Sequence, residues 1–228
     1  MSSENVRIFP LGDSALTVEF GKTVSASLNK KAIALSEHFE HHPFPGFIES
    51  VPAYASTTIF YDLVTVRRGF PDFTSAFDAV EKLVIDAVPK IDITQKDATR
   101  TVEIPVSFDK GSALDLDYVA ERSGMSPTEM IEIFIAATYR VFMLGFLPGF
   151  TYMGEVDPRI AIPRKESPRL AVPKGSVGIA GRQTGIYSLD SPGGWQIIGR
   201  TEVEMFTPDA ETPTYLRPGN QVRFVAIK

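Results

Sequence analysis

From Gly145 onward, glycine or proline recurs every few residues, and the runs between them are too short for helices. Such punctuation admits short strands joined by tight turns. The expected fold of this stretch is a small β-barrel or sandwich.

The residues before it read differently. Leu16, Val18 and Phe20 alternate with Thr17 and Glu19, the pattern of a half-buried strand. Leu28, Ala32, Leu35 and Phe39 fall on one helical face, which Pro43, Pro45 and Gly46 bring to an end. Ile48 to Val51 and Thr57 to Tyr61 read as strands. Phe73, Ala76, Phe77, Val80, Leu83, Val84 and Ala87 form a second helical stripe. A last strand at Ile91 to Thr94, or at Thr101 to Val106, would complete a ferredoxin-like unit. The polar run Lys96 to Arg100 marks a boundary, giving domains 1–97 and 98–228. The expected class is α+β, a small ferredoxin-like domain followed by a barrel.

The second domain opens with the strand Thr101 to Val106 and two short helices. Ser126, Pro127 and Glu129 form a capping box with proline at the first helical position, where its missing N–H costs nothing. Tyr139 to Leu144 then reads as a buried strand.

Composition removes several functions. Hydrophobic residues at 43% and charged residues at 22% suit a chain with a real core. A net charge of -5 leaves no broad footprint for nucleic acid. No apolar run reaches the roughly 18–20 residues of a membrane span. The start carries neither a basic nor an apolar signal region, so a cytoplasmic location is expected. Cysteine is absent, which excludes disulfides, thiolate chemistry and Cys-ligated zinc. The three histidines, His38, His41 and His42, share one short stretch. They read as a polar helix end rather than a metal centre, and no metal site is expected. Beyond Pro43, chemistry must come from carboxylates, Lys, Arg, Tyr, hydroxyls or backbone groups.

Two familiar patterns fail. Gly21-Lys22-Thr23 resembles the end of a phosphate-binding loop, but the required upstream glycine is Leu16. Leu116 to Phe134 resembles a helix-turn-helix. Its second helix would present Glu129 and Glu132, with no Lys or Arg between Arg122 and Arg140. A helical pair packed on a barrel is the better reading.

The informative stretch runs from Tyr139 to Thr201. Gly175, Gly178, Gly181 and Gly185 recur at short spacing, and successive N–H groups in such turns can form an anion-binding nest. Arg164, Arg169, Arg182, Gln183, Tyr187 and Arg200 lie among them. Arginine can hold a carboxylate or phosphate through two parallel bonds. Tyr152 and Trp195 each offer a flat apolar face with one polar tip. Candidate ligand-binding residues are Tyr152, Arg164, Arg169, Gln183, Tyr187, Trp195 and Arg200. The candidate loop glycines are Gly149, Gly178, Gly181, Gly185, Gly193 and Gly194.

The ordered motifs GFLPGFTYMG, PRxxSPR, VPKGSVGIAGRQTGIY and SPGGWQIIGRT resemble the signature of the KipI family, also called allophanate hydrolase subunit 1 and PxpB, the 5-oxoprolinase B subunit. LGDSALTVEFG and GFIESVPAYASTTIFYD carry the resemblance through the first half. It implies a small α/β domain joined to a cyclophilin-like β-barrel. It also implies KipA/PxpC-type and PxpA-type partner subunits, and ATP-dependent conversion of 5-oxoproline to glutamate. The chain has no ATP motif of its own, so ATP use falls to the complex. The resemblance carries other readings: a protein inhibitor of a sensor histidine kinase, or a relative of allophanate hydrolase and urea carboxylase subunits. Prolyl isomerase activity would rest on the cyclophilin-like fold alone. One position departs from the family: Phe134 stands in a helix where many members carry His. It reads as a helix position packed by an aromatic ring.

Overall fold

The computed structural model describes residues 6–91 and 100–227. The chain divides into two compact units, Met1–Asp97 and Ala98–Lys228. Mixed α/β structure is found, with five α-helices and one closed barrel among the described residues.

The first unit contains β1 (Arg7–Pro10), β2 (Ala15–Glu19), α1 (Ala26–His41), β3 (Phe47–Pro52), β4 (Ser56–Tyr61), α2 (Leu63–Gly69) and α3 (Ala76–Ala87). The strands form an antiparallel sheet in the order β1-β2-β4-β3. Alternation places Leu16 and Val18 of β2, and Ile59 and Tyr61 of β4, in one core with Leu35 and Phe39 of α1 and Val80 and Val84 of α3. Ser25, Asp62 and Ser75 each accept a backbone N–H at a helix start, satisfying donors that a helix leaves orphaned. Two buried hydroxyl contacts tie α1 to the sheet. Thr57 donates to the Ala32 carbonyl at 2.6 Å, and Ser36 and Ser50 bond at 2.7 Å.

The expected closing strand is corrected here. Thr101 to Val106 belongs to the second unit's barrel, and residues 92–94 of the other option lie outside the described residues. The edge beside β2 is filled by β1, a strand that hydrophobic patterning does not announce. Gly21-Lys22-Thr23 follows β2 in a turn. At the end of α1, His41 and His42 bond the carbonyls of Glu37 and His38, and the His38 and His42 rings stack 5.0 Å apart. Burial, then the charges of His42 and Lys90, push the His38 pKa down.

The second unit contains β5 (Thr101–Ser107), α4 (Leu116–Arg122), α5 (Pro127–Ala136), β6 (Tyr139–Gly145), β7 (Leu147–Gly154), β8 (Arg169–Val172), β9 (Ser176–Ala180), β10 (Gln183–Ile186), β11 (Ser191–Gly193), β12 (Gln196–Arg200) and β13 (Gln221–Ile227). Seven strands close a barrel in the order β10-β7-β6-β13-β5-β12-β9, and β8 and β11 pair as a separate ribbon. Only β5 and β13 run parallel; the other barrel pairs are antiparallel. Ile104, Val106, Val141, Met153, Ile179, Ile186 and Phe224 belong to the buried core of this unit.

α5 starts with the expected capping box. The Ser126 N–H donates to Glu129 at 2.8 Å and the Glu129 N–H donates to the Ser126 hydroxyl. Its buried residues are Met130 and Phe134, which pack in the barrel core. The pair α4–α5 is therefore a packing element, with Gly124 at φ +68 in the turn.

Candidate functional site

β7 presents alternate residues to the two sides of the barrel wall. Thr151 and Met153, paired with Ile186 and Thr184, face inward, while Phe150 and Tyr152 face outward. On the outer face, Phe150, Tyr187 and Trp195 form a buried cluster with Val172, Ala180 and Ile197. The rings meet edge to face. The Phe150 centroid lies 5.1 Å from Tyr187, 5.5 Å from Trp195 and 4.8 Å from Tyr152. That geometry places the positive edge of one ring against the negative face of another.

The glycines make room for these rings. A Cβ on Gly185 would lie 2.5 Å from the Thr151 carbonyl oxygen and 3.1 Å from the Trp195 ring. One on Gly193 would lie 2.3 Å from the Tyr187 hydroxyl oxygen. Gly178 passes beneath Trp195, and Gly194 lies beside Pro168. Gly149, within β7, and Gly181, between β9 and β10, have positive φ. The anion nest suggested by the spacing finds its donors engaged. Gly175 N–H donates to the Tyr187 carbonyl and Gly181 N–H to the Ile162 carbonyl.

The candidate polar residues separate into three groups. Arg164 places its guanidinium carbon 5.8 Å from the centroid of the Trp195 ring, a cation–π arrangement. Tyr152 is half-buried at the edge of the cluster, with its ring 5.8 Å from Trp195. Burial raises its pKa, against the opposing pull of the Arg164 charge. Burial likewise raises the Tyr187 pKa, against a hydrogen bond with the Trp195 backbone and the Arg164 charge. Both hydroxyls therefore stay protonated at neutral pH. Gln183 lies on the same outer face two residues before Gly185, about 7 Å along the strand.

Arg169 is placed otherwise. Its guanidinium makes a two-pronged bond to Asp115, at 2.6 and 2.7 Å. Lys165 reaches the same carboxylate at 3.2 Å, and the Ile197 N–H donates to it at 2.7 Å. Asp115 is only 5% exposed. Burial pushes its carboxyl up, but the bonds from Arg169 and Ile197 and the charge of Arg169 outweigh it, so the pKa lies below its ordinary value. Arg169 therefore ties β8 to β12 and to the start of α4. Arg200, at the far end of β12 from Trp195, donates to the Lys174 carbonyl at 3.1 Å. Five residues of strand put it about 16 Å from the ring cluster.

The outer wall thus gathers Tyr152, Arg164, Tyr187, Trp195 and Gln183, and sets Arg169 and Arg200 to other tasks. Asp115, Lys165 and Phe150 are absent from the sequence-based candidates. Phe150 closes the GFLPGF run and is visible there as an aromatic after glycine; Asp115 carries no motif. The unit contains neither His nor Cys. Its wall suits binding and orientation of a small anionic ligand, with tyrosine hydroxyls as proton-bearing donors.

Among the described residues, no group of three or more His, Cys, Asp or Glu is placed to hold a metal ion, and no helix is long and apolar enough to cross a membrane.

The fold and this face define a barrel protein whose signature loops converge on one wall. A family model described as carboxyltransferase domain, subdomain C and D, matches residues 6–216. The chain therefore belongs to this family, in which its motifs mark the KipI-like line that includes the B subunits of 5-oxoprolinase. It is 44% identical over 222 residues to the Bacillus subtilis protein named as the 5-oxoprolinase B subunit, across 97% of this chain and 92% of that one. The Escherichia coli O157:H7 protein of the same name is 33% identical over 231 residues, across 99% and 98% of the two chains. The crystal structure of TTHA0988 superposes with a TM-score of 0.80 at 38% identity. That match covers 98% of this chain but only 40% of the other.

Proposed function

We propose that this chain is the B subunit of an ATP-dependent 5-oxoprolinase, the complex that opens the lactam of 5-oxoproline to give glutamate. The observation that carries the reading is near full-length similarity to two proteins named as B subunits of 5-oxoprolinase. The outer wall of the second unit supports it. Arg164 and Tyr152 beside Trp195, with Gln183 further along the same face, suit a small acid bearing a polar amide. The chain binds and orients; PxpA-type and KipA/PxpC-type subunits complete the enzyme, in the cytoplasm.

ATP is assigned to the complex and not to this chain alone. Gly21-Lys22-Thr23 follows a strand in which Leu16 is buried, and the N–H groups of Gly175 and Gly181 are already engaged. Nucleotide handling falls to the complex. Mixed with its two partners, the chain is expected to confer 5-oxoproline-dependent ATP hydrolysis that disappears when any one of the three is omitted. Lactam cleavage by the purified chain alone would overturn the division of labour. Inhibition of a histidine kinase by a chain that never supports turnover would replace the enzymatic reading.

We read the two compact units as domains 1–97 and 98–228. The first is ferredoxin-like with its outer strand drawn from β1, and the second is cyclophilin-like. Limited proteolysis is expected to cut near Lys96 to Arg100 or in another exposed loop and to leave a stable C-terminal fragment. Simultaneous loss of both units would refute two domains.

A further inference from the structure

The signature segment Tyr139 to Thr201 contains eight cationic side chains. A single long segment with so many cations gives no ranking among them; their partners do. Arg159 bonds Asp157 through two nitrogens. Lys165 and Arg169 both turn onto Asp115. Lys174 bonds Glu204, and Arg182 bonds Glu155. Arg200 donates to a backbone carbonyl and lies 3.9 Å from Glu202. Arg140 is buried and reaches the Gly219 carbonyl. Arg164 alone has neither a carboxylate nor a carbonyl partner among the described residues. Its contact is the face of Trp195.

An arginine held flat by an aromatic ring keeps its N–H edge available and loses less freedom when that edge is used. The surrounding field favours an anion. Arg164, Lys165 and Arg169 gather against the buried Asp115 and the exposed Glu166, so cations outnumber carboxylates by three to two. The ring of Tyr152 stands next to the same tryptophan. A planar fork of two N–H groups matches a carboxylate. A phosphate would call for several converging donors, and the Gly175 and Gly181 N–H groups are engaged elsewhere.

We infer that Arg164 is the specificity-determining residue of the outer wall, and that it takes the carboxylate of a small cyclic acid whose ring lies beside the half-buried Tyr152. This rests on the oxoprolinase reading above. Arg169 and Lys165, neighbours in sequence and alike in charge, do not perform that task.

Trp195 is the single tryptophan of the chain, so its fluorescence reports on this wall alone. Two measurements test the inference. In the assembled complex, Arg164→Met should raise KM for 5-oxoproline about 10- to 100-fold, the weight of one charge-assisted bond, with a much smaller change in kcat. Arg164→Lys should recover only part of the loss, and Arg182→Met should behave as wild type. In the isolated full-length chain, 5-oxoproline should perturb Trp195 emission. 2-Pyrrolidinone, which lacks the carboxylate, and inorganic phosphate should not, and Arg164→Met should abolish the response. An active complex whose KM is unchanged by Arg164→Met sinks the assignment and leaves the function standing. A wild-type complex without turnover sinks the function. The fluorescence titration then decides alone, and a missing 5-oxoproline response, one that survives Arg164→Met, or one produced equally by phosphate overturns Arg164 as the carboxylate anchor.

Discussion

Alanine in place of Asp115 is expected to lower the unfolding free energy of the second unit by about 3 kcal/mol, the lower end of what breaking a buried ion pair costs. The lower end applies because Arg169 and Lys165 keep some contact with water, at 23% and 28% side-chain exposure. The loss has three parts: a guanidinium without its fork partner, an ammonium without its carboxylate, and an Ile197 N–H without an acceptor. Urea unfolding followed through Trp195 reads it directly, since the first unit contains no tryptophan. A shift below about 0.5 kcal/mol, the range of an ordinary surface substitution, would show that the cluster does not hold the unit together. Because the folded pKa of Asp115 is depressed, the sign with pH is set. Its contribution is complete above the ordinary aspartate value of about 3.9. It is lost as the pH falls through the lower folded value. The alanine variant should therefore lose less stability on acidification than the wild type. Arg169→Ala should resemble Asp115→Ala in stability, with activity following the fold.

The second large effect belongs to Phe134, which is fully buried. Its ring stacks on Phe224 at 4.9 Å and lies 5.1 Å from Tyr139, whose hydroxyl donates to the Phe134 carbonyl at 2.8 Å. Phe134→Ala should cost about 3–5 kcal/mol, the transfer term plus the cavity it leaves. Phe134→His places a polar ring into a pocket walled by Phe108, Tyr139 and Phe224. The variant should also be destabilised, because a ring nitrogen buried without a partner carries a desolvation penalty. Thermal or urea unfolding of both variants checks the pair. If Phe134→His matches the wild type, this pocket accepts a polar ring, and the aromatic packing argument fails.

Much of the barrel was legible in the chain because its cues are local. Gly and Pro punctuate short strands, and the Ser126–Glu129 capping box spans three residues. β1 was not legible: four residues, Arg-Ile-Phe-Pro, are too few to show alternation, and proline argues against a strand interior. Its place was set by pairing with β2. The site was half legible. Trp195, Tyr152 and the glycines announced a ring-lined wall, but the fates of Arg164 and Arg169 depended on Asp115. That residue sits between Leu114 and Leu116, in no motif, and meets its partners 50, 54 and 82 positions later. No short window contains such a relation.

The parallel pairing of β5 with β13 imposes a timetable on the cell. β13 sits between β5 and β6 in the ring, yet the ribosome makes it after every other strand of the barrel. Until Gln221–Ile227 emerges, the wall has a gap, Phe134 lacks the ring of Phe224, and two strand edges stand open to other chains. At about 5–20 residues per second, the interval between the completion of β6 and the arrival of β13 is roughly 4–15 seconds. In that interval the nascent chain is open to chaperone capture or to misassociation, and both hazards end when the last strand enters the gap.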